Sequence, residues 1–164
     1  MSAIEPIERF APGFNKLTQQ ELEAMHAFTI MWTLFEAQVL DSAASSKKIV
    51  SKAQQWEAQG HLNDNWFAQH LEYFQARYIQ NGEPTDRFEH LNLRDNDEPG
   101  LVRSVLSGNP SSSGEELAAI LIIVLRFRNN FFHGLKWAYQ MKEQQENFER
   151  ASQLLQRCMS FAGK

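Results

Sequence analysis

The sequence feature that most constrains the fold is an unbroken apolar run of nine residues, Leu117–Leu125, which polar side chains follow at once. A helix needs about 20 apolar residues to cross a bilayer, so this run is too short to span a membrane. A short apolar run of this kind is typical of a helix buried inside a globular protein. We therefore expect this segment to form part of a protein core.

Apolar periodicity and helix-start signals predict one all-α bundle of about five helices. Thr18 and Glu21 have the spacing of a capping box, and Ser113 with Glu116 has the same spacing just before the apolar run. No stretch alternates apolar and polar residues as a half-buried strand does, so no strand is predicted. The predicted helices span about 18–40, 46–58, 63–78, 113–132 and the region after Gly134, with a further short helix around 101–106.

Length and composition predict a single domain over residues 1–164, with 1–16 as an N-terminal extension. One cysteine, Cys158, excludes an internal disulfide and a cysteine-based zinc cluster. Residues 1–14 hold Glu5 and Glu8 and no apolar core, so we expect no signal peptide and a cytoplasmic location without membrane contact.

Charge is unevenly distributed along the chain. The 16 basic and 20 acidic residues give a net charge of −4, which argues against extended wrapping of nucleic acid. Residues 117–142 nevertheless contain four basic residues and no acidic one, which leaves 12 basic and 20 acidic residues elsewhere. The charge pattern therefore limits a nucleic-acid contact to a small cleft.

The polar residues that follow the apolar run are the candidate functional site. Arg126, Asn129, Asn130 and His133 are spaced by three, four or seven residues and share a helix face, whereas Arg128 lies off that face. Hydrogen-bond donors beside one imidazole are suited to binding an anion and moving a proton. The alternative interpretation is structural: the asparagines end the helix, His133 caps it, and the arginines pair with acids elsewhere.

Residues 128–134, Arg-Asn-Asn-Phe-Phe-His-Gly, resemble the motif of HEPN domains (higher eukaryotes and prokaryotes nucleotide-binding), which is Arg, four to six residues, then His. Asn129 occupies the position after the Arg that is polar in this family. The resemblance implies a helical bundle that dimerises and brings two motifs together in a cleft. It also implies a metal-independent endoribonuclease, often a bacterial toxin or defence protein, which an antitoxin or regulatory protein controls.

The resemblance implies a role for each residue of the motif. His133 would act as general base or acid, Arg128 would bind the phosphate as negative charge develops, and Asn129 would orient the phosphate or the imidazole. Asn130, Arg126 and Lys136 would bind the RNA substrate without reacting. The 2′-hydroxyl of RNA is the nucleophile, so neither metal nor cofactor is expected.

Other residues near the motif have more than one interpretation. Glu36 lies beside the apolar stripe of the first predicted helix, and a structural ion pair, for instance with Arg126, is favoured over a supporting role at the motif. For Phe131, Phe132 and Trp137, core or dimer contacts are favoured over stacking on bases.

The function also has alternatives. One is a non-catalytic HEPN module that binds RNA, a nucleotide or a protein partner. The other is an unrelated helical bundle in which the motif is coincidental.

Overall fold

The computed structural model describes residues 4–132 and 143–162. Within these residues the chain is mostly helical, which confirms the all-α prediction, with eight α-helices where about five were predicted. The elements are α1 (Ile4–Phe10), α2 (Gln19–Val39), α3 (Ser46–Ala58), α4 (Ala68–Tyr78), β1 (Ile79–Gln80), β2 (Glu83–Pro84), α5 (Asp86–Glu89), α6 (Pro99–Leu106), α7 (Ser113–Phe132) and α8 (Gln145–Met159), with 3-10 turns at Phe14–Lys16 and Asp95–Asp97.

Helix α7 lies at the centre of the bundle. All nine residues of its apolar run are buried, as the sequence predicts, and α3, α4, α6 and α8 pack around it. Gly114 in its first turn lies so close to the last turn of α3 that an added Cβ would come within 2.6 Å of the Glu57 carboxylate. The nearest backbone atom of α3, the Ala53 carbonyl oxygen, would lie 3.4 Å from that Cβ, so only the Glu57 side chain would have to move.

Helix α2 packs mainly against α8. Its predicted apolar stripe is buried, and the ring of Phe28 stacks on that of Phe148 with centroids 5.0 Å apart. The capping box at its start is confirmed: the Thr18 hydroxyl accepts from the Glu21 amide at 3.1 Å, and the Glu21 carboxylate accepts from the Thr18 amide at 2.7 Å. Both free amides are thus satisfied, which stabilises this helix end.

One predicted helix boundary and one unpredicted strand pair distinguish the structure from the sequence-based expectation. The third predicted helix begins at Ala68 rather than near Asn63, because Asn65 has a φ of 49°, which a right-handed helix does not allow. A strand pair that was not predicted follows α4, with Ile79 paired to Pro84. Asn81 and Gly82 join the strands with φ values of 53° and 78°, as a tight hairpin turn requires.

The predicted N-terminal extension contains helix α1 and the short turn after it. The Glu8 carboxylate accepts hydrogen bonds from the amides of Gly13 at 2.7 Å and Asn15 at 2.8 Å. These bonds hold the chain that leaves the helix, which composition alone does not predict. None of the described helices has the length and apolar character to cross a membrane.

The capping box of α7 lies one residue earlier than predicted. The Ser112 hydroxyl accepts from the Glu115 amide at 3.2 Å, and the Glu115 carboxylate accepts from the Ser112 amide at 2.8 Å. The predicted Ser113–Glu116 pair has the same spacing, so the sequence does not distinguish the two registers.

The capping register gives a test of stability. Ser112→Ala removes the cap and should lower the free energy of unfolding by about 1 kcal/mol. Ser113→Ala is the matched control and should change it by less than about 0.5 kcal/mol. Urea unfolding followed by circular dichroism measures both, and a larger loss for Ser113→Ala would contradict the observed register.

Candidate functional site

The surroundings of α7 change from apolar to polar at Arg126, whose side chain is only 3% exposed. Each of its three guanidinium nitrogens donates a hydrogen bond: Nε to the Leu91 carbonyl at 3.0 Å, Nη1 to Asp97 Oδ2 at 3.2 Å, and Nη2 to Asn130 Oδ1 at 3.2 Å. Burial lowers the pKa of Arg126 and Asp97 opposes that effect, but an arginine stays protonated in proteins. Arg126 is therefore a buried cation with a specific set of acceptors.

Asp97, the partner of Arg126, is itself buried at the end of the 3-10 turn before α6. Its Oδ1 accepts from the Ser46 hydroxyl at 2.9 Å, and its Oδ2 accepts from the Arg94 amide at 2.9 Å. Ser46 is the first residue of α3, so the carboxylate joins three parts of the chain that are distant in sequence. Hydrogen bonds of this kind are what a buried ion pair needs to offset desolvation.

Asn130 belongs to the same network. Its Nδ2 donates to the carbonyls of His90 at 3.2 Å and Leu91 at 3.1 Å, beside its contact with Arg126. The resemblance implies substrate binding for Asn130 and Arg126, whereas in the structure their polar groups bind carbonyls of the loop before Asp97. We therefore assign both side chains to holding the end of α7 in place.

The suggested ion pair between Glu36 and Arg126 is wrong. Glu36 instead accepts from Trp32 Nε1 at 2.8 Å and from the Ala44 amide at 3.3 Å. The contact between Trp32 and Glu36 follows from their spacing of four residues on one helix, which sequence reasoning could have found. Asp97 was missed because it lies 29 residues from Arg126 in a segment that reads only as a turn.

Arg128 and Asn129 follow in the last two turns of α7 and are half-buried. Arg128 Nη1 donates to Asn129 Oδ1 at 3.0 Å, so these two predicted catalytic side chains are in contact. His133 and Lys136, the remaining predicted site residues, lie outside the described residues. The described site thus consists of an inner pair, Arg126 and Asn130, and an outer pair, Arg128 and Asn129.

Phe131, next to the motif, packs edge-on against Phe148 with ring centroids 6.1 Å apart, and it is partly buried against the core. This contact agrees with the core interpretation of Phe131. The side chain of Phe132 and all of Trp137 lie outside what the structure describes.

A second group of polar side chains lies between α4 and α8. The Tyr73 hydroxyl donates to Asn147 Oδ1 at 2.8 Å, and the Arg150 guanidinium lies over the Tyr73 ring, 4.3 Å from its centroid. Arg150 Nη1 also lies 3.5 Å from His70 Nδ1. Desolvation, and then the positive charge of Arg150, lower the pKa of His70 below its ordinary value, while burial raises the pKa of Tyr73.

In the described part of the chain, no group of three or more histidine, cysteine, aspartate or glutamate side chains is placed to hold a metal ion. Comparisons of the chain with protein-family models, with curated proteins and with solved structures found no match.

The inner pair gives a test of the buried network. Arg126→Ala leaves the Asp97 carboxylate buried without its cation and should lower the free energy of unfolding by about 3–5 kcal/mol. Arg103→Ala, at an exposed arginine on α6, should change it by less than about 0.5 kcal/mol. The double variant Arg126→Ala/Asp97→Ala should lose less free energy of unfolding than the two single variants lose together, because the two residues interact. If urea unfolding shows that the two losses add, Arg126 and Asp97 are not coupled.

His70 gives a test by pH. Because its pKa is lowered in the folded state, the unfolded chain binds more protons, and stability should fall as the pH drops through about 6.5 and below. His70→Gln has no imidazole and should lose less stability over the same range. Thermal unfolding of both proteins between about pH 7.5 and 5 measures the difference. Parallel curves would show that the environment of His70 does not disfavour its charged form.

Proposed function

We propose that this protein is a metal-independent endoribonuclease of the HEPN type. The observation that carries the proposal is the pairing of Arg128 with Asn129 at the end of a buried helix, four residues before His133 in the sequence. The all-α fold agrees with the expected bundle. Both side chains are half-buried, unlike the fully buried apolar run before them.

The chemistry that we propose needs only protons and charge stabilisation. The 2′-hydroxyl of RNA attacks the adjacent phosphorus and forms a 2′,3′-cyclic phosphate, while the bond from phosphorus to the 5′-oxygen of the next nucleotide breaks. His133 acts as general base, taking the proton of the 2′-hydroxyl, or as general acid, giving a proton to the leaving 5′-oxygen, and water makes the other proton transfer. Arg128 donates to the phosphate oxygens as their negative charge increases. Asn129 Oδ1 accepts from Arg128 Nη1, and this contact orients the planar guanidinium toward the phosphate.

The inner pair supports this reaction without contacting the substrate. Arg126 and Asn130 bind the carbonyls of the loop before Asp97 and so determine how the last turn of α7 is rotated. Lys136 keeps its proposed role of attracting the RNA strand. We further propose that the protein forms a homodimer in the cytoplasm, in which two copies of the motif face one cleft. A partner protein would inhibit the ribonuclease, as an antitoxin does.

The test is cleavage of total RNA in the presence of EDTA. Wild-type protein should cut RNA and leave 2′,3′-cyclic phosphate or 3′-phosphate ends. His133→Ala should reduce the rate by about 10²–10⁴-fold, the usual contribution of a general acid or base. Arg128→Ala should reduce it by about 10²–10³-fold through loss of charge stabilisation.

Two matched controls test whether loss of activity is specific to the motif or follows from removing any histidine or arginine. His26→Ala removes an exposed histidine of α2, and Arg103→Ala removes an exposed arginine of α6; both should keep wild-type activity. Intact RNA with wild-type protein, while all variants fold, would refute the enzyme and favour a non-catalytic binding module. Expression in bacteria should slow growth, and His133→Ala should relieve that effect.

A further inference from the structure

The outer face of α2 exposes apolar side chains where a solvent-facing helix usually carries polar ones. Ile30 is 49% exposed and Leu34 is 42% exposed, and Ala27 and Ala37 are exposed as well. These four residues are spaced by three, four and three positions, so they form one stripe along the helix, the α2 stripe. Trp32 lies on the opposite side of α2 and is buried, so the stripe faces away from the core.

Charge is nearly absent from this face of α2. The helix contains no lysine, arginine or aspartate, and the stretch 24–35 contains no glutamate. Glu23 is exposed one turn before the stripe, and Glu36 is occupied by its contacts with Trp32 and the Ala44 amide. Helix α8, which packs against the buried side of α2, has a polar outer face, with the exposed residues Glu146, Glu149, Gln153, Gln156 and Arg157. The α2 stripe is therefore a continuous apolar face rather than single exposed residues.

The charge of the chain narrows what can cover the stripe. A helix that lies on a membrane surface is rich in lysine and arginine on its polar face, and α2 has neither. A second copy of the chain carries the same net charge of −4, so two copies repel each other unless they meet on an uncharged face. The α2 stripe is such a face.

The order of side chains in the stripe also favours a second copy. It is small, large, large, small in both directions along the helix. A twofold dimer uses one surface twice, so that surface must be complementary to itself, which a different protein would not require. When two α2 helices pack antiparallel with their midpoints at residue 32, Ile30 of each copy comes level with Leu34 of the other, and Ala27 comes level with Ala37. The spacing of three and four is that of the core positions of a two-stranded coiled coil.

We propose that two copies of the protein associate through the α2 stripe, packed antiparallel in a twofold dimer. The contact deepens the proposed function, since it assigns a surface to the homodimer, and it rests on that proposal only for the expectation of a dimer. It does not require the protein to be a ribonuclease.

The size and the rim of the contact determine how the dimer should behave. An interface of standard size buries about 800 Å² on each partner, and two helix stripes bury less, so we expect exchange with monomer at micromolar concentrations. At each end, Glu23 of one copy comes level with the exposed Asp41 of the other. Salt screens the repulsion between these carboxylates, so added salt should strengthen association.

The first experiment measures the mass of the wild-type protein by analytical ultracentrifugation over a series of concentrations. The mass should rise with concentration from 19.0 kDa toward twice that value, and rise further with added salt. Leu34→Glu places a like charge from each copy at the contact and should raise the dissociation constant at least about tenfold. Gln153→Glu adds the same charge to the outer face of α8 and should leave the constant unchanged.

Three results of this experiment would overturn the contact. They are a monomer at every concentration, association that salt weakens, and equal association of Leu34→Glu and wild type. Glutamate is a good helix former, so Leu34→Glu should fold, and its urea unfolding curve checks this.

The second experiment tests the antiparallel packing without adding charge. Ala27 lies beside Ala37 of the other copy, whereas the two Ala27 residues are ten helical positions apart, about 15 Å along the axis. A bismaleimide cross-linker much shorter than that should join a mixture of Ala27→Cys and Ala37→Cys proteins, but neither protein alone. Gln153→Cys is the exposed control and should not cross-link, and the native Cys158 is buried. Cross-links within either single variant, or none in the mixture, would overturn the antiparallel contact.

The two proposals fail in different ways, because association is measured without RNA. If the wild-type protein associates through the α2 stripe but leaves RNA intact, the contact stands and the ribonuclease fails. If the wild-type protein cleaves RNA while Leu34→Glu associates as wild type does and the cysteine mixture does not cross-link, the ribonuclease stands and the α2 contact is refuted.

Discussion

The buried ion pair between Arg126 and Asp97 is the interaction on which the arrangement of the site depends. Removing two charges from water costs several kcal/mol for each ion, so a pair of this kind is weak evidence for stability alone. Here every partner is specific: Ser46 on α3, the Arg94 amide, the Leu91 carbonyl and Asn130 on α7 all bind one of the two charged groups. The pair therefore determines the rotation of α7 about its own axis relative to α3 and to the loop before α6.

That rotation decides which polar residues of α7 can meet a ligand. Residues three or four apart share a face, so Asn129 stays beside Arg126 and Asn130 when these turn toward the loop, whereas Arg128 lies on a different side of the helix. The same short polar segment thus divides into side chains that hold the helix and side chains that remain half-buried beside each other. Side chains on a packed helix are held more rigidly than side chains on a loop.

Local patterns in the sequence predicted most of the fold, and distant contacts account for what they missed. The bounds of α3 and α7 and the capping box at Thr18 depend on neighbours within one turn, so spacing reveals them. The partner of Arg126 depends on which loop reaches the end of α7, and a residue 29 positions away leaves no periodic signal. The left-handed backbone at Asn65 is likewise a choice among conformations that asparagine tolerates. At the site, the sequence indicated the polar segment at the end of α7, but not that the inner pair binds the loop before Asp97 while the outer pair does not. The role of His133 stays a prediction.

Helix α7 has a consequence for how the molecule opens. Its residues from Leu117 to Leu125 have no side that faces solvent, because neighbouring helices cover the whole circumference. The backbone amides of such a segment can exchange hydrogen with deuterium only when the surrounding helices separate, which amounts to global unfolding. The chain that leads into the motif is thus anchored in the slowest-exchanging part of the protein.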